Sequence, residues 1–448
     1  MEGRKKDIQT EVAEFIAGLQ YDNLPAEIIA DAKYRLLDWL GSALVGVRYA
    51  PSRIVTKMVL ENGGITQATV LKGGLKVPVS QAALANGIIG HVAEFDDGHR
   101  LAIAHPGAVA VPTALAVAES FNKTGKELLT GIVAGYEVLI RLGTAVNPSH
   151  YQMWHTTGTC GTFAAAASAA CILKLDKKRV QMSLGIAGTM ASGSRETFGT
   201  YAKPLNAGHA CQSGVQAALL AMRGFTGPED IIGSRKGFIA ATSSADNSNP
   251  LDEINGSKFL ANTAFFKVYA SCGHTNSPLD LIFMMMQEHD LSLQSIKQVQ
   301  IKTYLTAVEL TGQFQNSNED QAKFSLPYCM AAALLYKKVT LAEFTPDKLS
   351  HPRIAEIAAK IKVIEDPEAT KMFPEERRAT IHIEMDNNQV ITKGIILPQD
   401  TPDYVALEEK FMSLASTCLE CQVAQTVKDM VLGIDKVDDL SMLMGHLI

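Results

Sequence analysis

The stretch VSQAALANGIIGHVAEFDDGHRLAIAHPGAVAVPTALAVAES, residues 79–120, decides how the chain is read. Its ends are apolar and built from small residues. Its centre, His91 to Pro106, packs three histidines (His91, His99, His105) and three carboxylates (Glu94, Asp96, Asp97) into sixteen positions. The flanks predict two buried helices, with Gly98 and then His105-Pro106-Gly107 breaking the pattern between them. Ionisable groups held between apolar helices suit proton transfer, because burial and neighbouring charges tune their pKa values. The plainer alternative is a polar loop whose histidines are only hydrogen-bonded.

The same texture extends on both sides. Helical periodicity predicts helices over 8–20, 25–46, 79–94, 109–121, 125–146, 161–174, 177–191 and 207–222. The apolar run GIVAGYEVLIRLG carries Glu137 and Arg141 at i,i+4 spacing and reads as a buried helix, not a membrane span. His155, in WHTTGTCG, stands just before one helix start. Lys203 precedes Pro204, which predicts an extended residue, with Asn206 as N-cap of the next helix. Helix starts favour anions, so both residues are candidates to meet a carboxylate.

Near residue 258 the pattern changes. SIKQVQIKTYL alternates as a strand, and ATIHIEMDNNQVITKGIIL alternates around Asp386-Asn387-Asn388 as a hairpin. A buried helix is expected over KFSLPYCMAAALLYKK, and helical period returns after 398. The expected organisation is mainly α: a large helical domain from 1–267 and 398–448, with a smaller α+β domain at 268–397.

The chain has 448 residues, 47% hydrophobic and 20% charged, and a net charge of −6. This length favours two domains, and the absence of a basic stripe argues against nucleic acid. The seven cysteines lie mostly in apolar helical runs, as expected of reduced thiols in the cytoplasm. The isolated Cys418-x-x-Cys421 has no matching ligand pair. The N-terminus lacks the uninterrupted apolar core of a signal peptide, and no membrane segment is expected.

Four blocks occur in order: HVAEFDDGHRLAIAHPGAVAVPTALAVAE, WHTTGTCGTFAAAASAA, YAKPLNAGHACQSGVQAALLAMRGFTGP, and FFKVYASCGHTNSPLD followed by AKFSLPYCMAAALL. Together they resemble the MmgE/PrpD family, which contains 2-methylcitrate dehydratase, cis-aconitate decarboxylase and iminodisuccinate epimerase. The resemblance implies an all-helical domain built from both chain ends, an inserted α+β lid, a homodimer, and no metal or other cofactor. It implies that His105, His155, Lys203 and Lys267 are catalytic. It also implies that Glu94, Asp96, Asp97, His274 and Tyr328 bind substrate, with His105, His155, Lys203, Lys267 and Tyr328 matching family active-site positions. The chain departs from the decarboxylase pattern in having Glu94 for an Asp, and Asp96-Asp97-Gly98 for a DDT triplet. It also lacks the Asn-Asp pair and longer insertion of the dehydratase type.

These residue types fit proton abstraction beside a carboxylate, with lysines as point charges and histidines as proton carriers. One such site serves dehydration, decarboxylation or epimerisation of a small di- or tricarboxylate, and dehydration of the 2-methylcitrate type is the first expectation. Two other classes compete. A metal-dependent helical enzyme would need a further Asp after FDDGH or an adjacent His-Asp pair, and the chain has neither. A non-catalytic binding protein would not need two histidines and two lysines together.

Overall fold

The computed structural model describes residues 7–244, 251, 253–256, 258–289, 291–398 and 403–448. The chain divides into two compact units, residues 1–266 with 403–448, and residues 267–402. Lys267 is thus the first residue of the second unit.

The first unit is helical. Its main helices are α1 (Ile8–Gly18), α2 (Ala26–Gly46), α3 (Ala50–Asn62), α4 (Val79–His91), α5 (Gly107–Ser120), α6 (Gly125–Val146), α7 (Thr156–Ile172), α8 (Lys177–Met190) and α9 (Ala202–Met222). A short antiparallel pair, β1 (Ala68–Thr69) and β2 (Lys76–Val77), lies between α3 and α4. Helix α7 is the packing centre and touches α5, α6, α8 and α9. Apart from Phe163 and Ile172 it consists of Ala, Gly, Ser, Thr and Cys, and small side chains let four neighbours approach.

Helices α4 and α9 run antiparallel at close range. A Cβ on Gly87 would come within 2.8 Å of the Gly208 Cα, and one on Gly208 within 2.5 Å of the Leu84 carbonyl oxygen. This contact sets the last turn of α4, ending at His91, beside the first turn of α9, which holds Lys203.

Three local expectations change. Helix α7 starts at Thr156 instead of 161, because Gly158 and Gly161 are packing glycines. A Cβ on Gly158 would meet the Ser192 carbonyl oxygen at 2.7 Å, and one on Gly161 the Val109 side chain at 3.0 Å. Helix α9 starts at Ala202, so Lys203 is helical and not extended. Pro204 falls in the first turn, where a missing N–H costs little. Asn206 therefore lies inside α9 and is not its cap.

Helix α6 is, among the described helices, the one long and apolar enough to cross a membrane, and 94% of its apolar window is buried. Its interior charges are matched: Arg141 Nε donates to Glu137 at 3.1 Å, and Glu137 also accepts from the Leu260 and Ala261 amides.

The second unit holds a four-stranded sheet, order β4-β3-β5-β6, from β3 (Ile296–Thr303), β4 (Ile361–Glu365), β5 (Ala379–Met385) and β6 (Val390–Ile395). Strands β3 and β4 are parallel, Val299 opposite Ile361. Strand β5 pairs antiparallel with β3, Ile301 opposite Ile381, and with β6 through a hairpin, Glu384 opposite Val390. Asn388 takes the left-handed conformation in that turn (φ 64°), as the Asp-Asn-Asn signal requires. Of the helices α10 (Asn276–Glu288), α11 (Leu326–Tyr336) and α12 (Pro352–Ala358), α10 lies on β5 and β6, α11 contacts β4, and α12 packs on α11.

The chain then returns to the first unit as α13 (Tyr404–Ala415), α14 (Cys421–Leu432) and α15 (Ser441–Leu447). Helix α13 packs on α2, where Lys410 reaches Asp38 at 2.7 Å. The seven cysteines are unbridged, and Cys418 donates to the Leu44 carbonyl while Cys421 is exposed.

Candidate active site

The acidic loop between α4 and α5 is braced from several sides. Arg35 on α2 grips Asp31 with two hydrogen bonds of 3.0 Å, donates to the Ala264 carbonyl, and stacks 3.7 Å over the Phe266 ring. Its third arm reaches Asp97 at 3.4 Å. Asp97 also accepts from the Tyr136 hydroxyl at 2.6 Å and from the Gly107 amide at 2.9 Å, which caps the start of α5. Burial opposes the charge on Arg35, but Asp31, Tyr136 and Asp97 more than offset this and raise its pKa. Burial pushes the Asp97 carboxyl up to about 6 against the pull of Arg35 and Tyr136. Gly98 bridges to Phe265, His99 braces the loop through Thr263, and Lys410 donates to the Phe95 carbonyl.

On this frame three imidazoles gather. The His91 ring lies 4.7 Å from that of His105 and 6.1 Å from that of His155. Each has a defined polarity. His105 Nδ1 lies 2.6 Å from the Asp97 carbonyl oxygen and must donate to it, so the lone pair of the neutral ring is on Nε2. The Asp96 carboxylate, 3.7 Å from the same Nδ1, favours positive charge there. The His105 amide donates to Thr157 on α7, which ties the loop to that helix.

His155 occupies the N-cap position of α7 and is buried. Its Nδ1 accepts from the Asn206 amide at 3.1 Å, so Nε2 carries the hydrogen. Burial, reinforced by the Lys203 ammonium and His91, holds His155 well below the ordinary histidine range. It is therefore neutral and a hydrogen-bond donor.

Lys203 is 4% exposed. It forms an ion pair with Glu94, lies 3.2 Å from His91 Nε2, and sits over the Phe198 ring. Glu94 has a left-handed backbone (φ 56°), a conformation that costs a residue with a side chain about 1 kcal/mol and concentrates at functional sites.

The expected site residues thus divide. His105, His155, Lys203, Glu94 and Asp96 form one cluster. Asp97 belongs to the same loop but turns into the scaffold, its oxygens taken by Arg35, Tyr136 and Gly107. Lys267, His274 and Tyr328 lie in the second unit, and all three are buried. His274 Nδ1 pairs with the Tyr304 hydroxyl at 2.8 Å, and Tyr328 donates to the Glu343 carbonyl at 2.6 Å.

Arg35 and Tyr136 escaped sequence reasoning, Asn206 was expected only as a helix cap, and His91 was given no separate site role. Only Arg35 carried a local signal, its i,i+4 spacing from Asp31 on α2. His91 was visible in the motif but sits at a helix end, where a histidine is ordinary.

His91, Asp96 and His105 also offer three ligand atoms within 4.8 Å of one another, a spacing that could surround a metal ion. Their hydrogen bonds argue otherwise. His91 Nδ1 donates to Asp96 at 2.8 Å and His105 Nδ1 donates to a carbonyl, so a metal ion bound through either Nδ1 would first have to displace its proton.

Comparison with known proteins follows the same blocks. Residues 10–250 match the MmgE/PrpD N-terminal domain and residues 269–436 the MmgE/PrpD C-terminal domain. Cis-aconitate decarboxylase of Aspergillus terreus is 24% identical, with 98% of this chain and 96% of the relative aligned. The Homo sapiens cis-aconitate decarboxylase is 24% identical over 98% of this chain and 94% of its own length. The Mus musculus protein of that name is 25% identical over 97% and 91%.

Proposed function

The chain belongs to the MmgE/PrpD family, and from that premise we propose that this lyase decarboxylates a small unsaturated tricarboxylate of the cis-aconitate type. The observation that carries the reading is the opposite polarity of the two histidines beside one buried ammonium. His105 keeps the lone pair of its neutral ring at Nε2 and has a carboxylate behind it, which suits a group that gains and loses a proton. His155 is neutral and presents an N–H, which suits a fixed donor to a developing oxyanion.

In the proposed step the C–C bond to one carboxylate breaks and CO₂ leaves. Its electron pair passes into the conjugated carboxylate that remains. The Lys203 ammonium and the His155 N–H stabilise that dienolate charge. Protonated His105 then delivers its Nε2 proton to carbon and is reprotonated by solvent. Glu94 yields Lys203 to the substrate carboxylate.

Dehydration, the first expectation from the sequence, is the second reading. It is favoured by the neutral His155 donor, which would serve equally to assist a departing hydroxide, with His105 as base. The names of the relatives support decarboxylation.

Purified protein is offered cis-aconitate and 2-methylcitrate in heavy water, with CO₂ release and carbon-bound deuterium followed by NMR. The expected result is CO₂ from cis-aconitate and one solvent deuterium in the product. His105→Gln should lower kcat by about 10²-fold or more, the usual share of a general acid. Water loss from 2-methylcitrate with no CO₂ from cis-aconitate would replace this reading by the second.

A further inference from the structure

We propose that His91 is a positioning residue: a neutral imidazole that anchors the Lys203 ammonium while its anionic partner is exchanged. The inference rests on the reading of Lys203 as the partner of a substrate carboxylate, and adds how that cation is kept in place.

The hydrogen-bond polarity is determined at both ends of the ring. His91 Nδ1 lies 2.8 Å from Asp96 Oδ2 and donates to it. An ammonium has only donors, so at 3.2 Å His91 Nε2 accepts from Lys203 Nζ. Only the neutral Nδ1–H tautomer makes both bonds. His91 is 0% exposed and ends α4, the helix locked against α9 through Gly87 and Gly208. The acceptor is therefore fixed relative to the helix that carries Lys203.

The other partner of Lys203 differs in kind. Glu94 is an anion, so an incoming carboxylate competes with it for the same charge. If Glu94 alone held the ammonium, displacing it would release a four-carbon stem with freedom to turn away. An uncharged acceptor avoids this. It directs the ammonium without neutralising it, so the charge stays available to whichever carboxylate is present.

Two substitutions separate the two bonds of His91. His91→Asn retains an N–H near the Nδ1 position for Asp96 but has nothing at Nε2. His91→Gln can set its amide oxygen at the Nε2 position for Lys203 and loses the donor to Asp96. Steady-state kinetics on cis-aconitate, and the calorimetric Kd of the non-reacting tricarboxylate tricarballylate, are measured for both variants and for Lys203→Ala. The Asn variant should raise KM and Kd by about tenfold, the scale of one unmade bond to a charged group, with kcat changed less. The Gln variant should stay within about threefold of wild type in KM and Kd.

Equal values for Asn and Gln, or a Gln variant weaker than Asn, would overturn the inference. Should the Asn variant fail to fold, the Gln variant decides alone: Kd raised as far as in Lys203→Ala sinks the proposal. The premise fails separately, if Lys203→Ala itself binds tricarballylate like wild type.

Discussion

Adjacent carboxylates in one motif have opposite duties here. Asp96 faces the histidines, 2.8 Å from His91, whereas Asp97 is absorbed by Arg35, Tyr136 and the first amide of α5. Asp97→Ala removes one partner from a buried charge network, a change that typically costs about 3–5 kcal/mol. The expected outcome is a large fall in melting temperature. Asp97→Asn, which keeps an acceptor for Tyr136, should fall less. A melting temperature unchanged in Asp97→Ala would show that Asp31 alone satisfies Arg35. The proton-carrying residues were legible because titratable types crowd a short motif. The duty of Asp97 was not, because its side-chain partners lie 62 residues before it and 39 after it. No local pattern distinguishes an aspartate that faces a cleft from its neighbour that faces the core.

At the level of elements, the cluster depends on how closely α4 and α9 approach. Lys203 and Glu94 stand 109 residues apart in the chain and meet because Gly87 and Gly208 let two helix backbones touch. Gly208→Val would drive a side chain into the Leu84 carbonyl and the Ile88 side chain. Overpacking of this kind costs about 1–3 kcal/mol, and it would also part His91 from Lys203. The expected result is a folded but less stable protein with KM raised in the manner of His91→Asn. If stability falls while KM stays at the wild-type value, the helix contact does not set the site. Helix positions were readable from apolar periodicity, and most ends differ from expectation by a few residues. The larger misses, at 156 and 202, have one cause. Gly and Pro were read as breaks, whereas Gly158 and Gly161 serve helix packing and Pro204 occupies a first turn. Sequence alone does not distinguish a glycine that turns the chain from one that admits a neighbour.

For the molecule as a whole, His150, His155 and Asp97 contribute to how stability responds to acid. Burial lowers His150 to about 4, where Nδ1 donates to the Thr242 carbonyl and Nε2 accepts from Thr159. Burial and Lys203 lower His155 as well. At pH 5 the unfolded chain protonates His150, whose ordinary value is 6.5, and the folded chain does not; His155 is shifted in the same direction. Each therefore contributes stability that is present above 6.5 and lost as pH falls toward its folded value. Asp97 acts in the opposite sense. Its pKa rises from 3.8 to about 6, so at pH 5 the folded chain holds a proton there that the unfolded chain does not. Near pH 5 the proton that His150 takes up on unfolding offsets the one that Asp97 releases, and His155 tips the balance toward uptake. The three groups together thus make stability fall with acid, and His150 alone contributes about 1.4 kcal/mol per pH unit near pH 5. Trp39 and Trp154 are the two tryptophans, and both lie in the first unit, so their fluorescence in a denaturant titration reads its unfolding. His150→Gln, measured at several values between pH 6 and 4.5, should reduce the slope by about 1.4 kcal/mol per unit relative to wild type. An unaltered slope would mean that His150 titrates alike in both states, and that the hydrogen bonds to Thr242 and Thr159 do not hold it neutral.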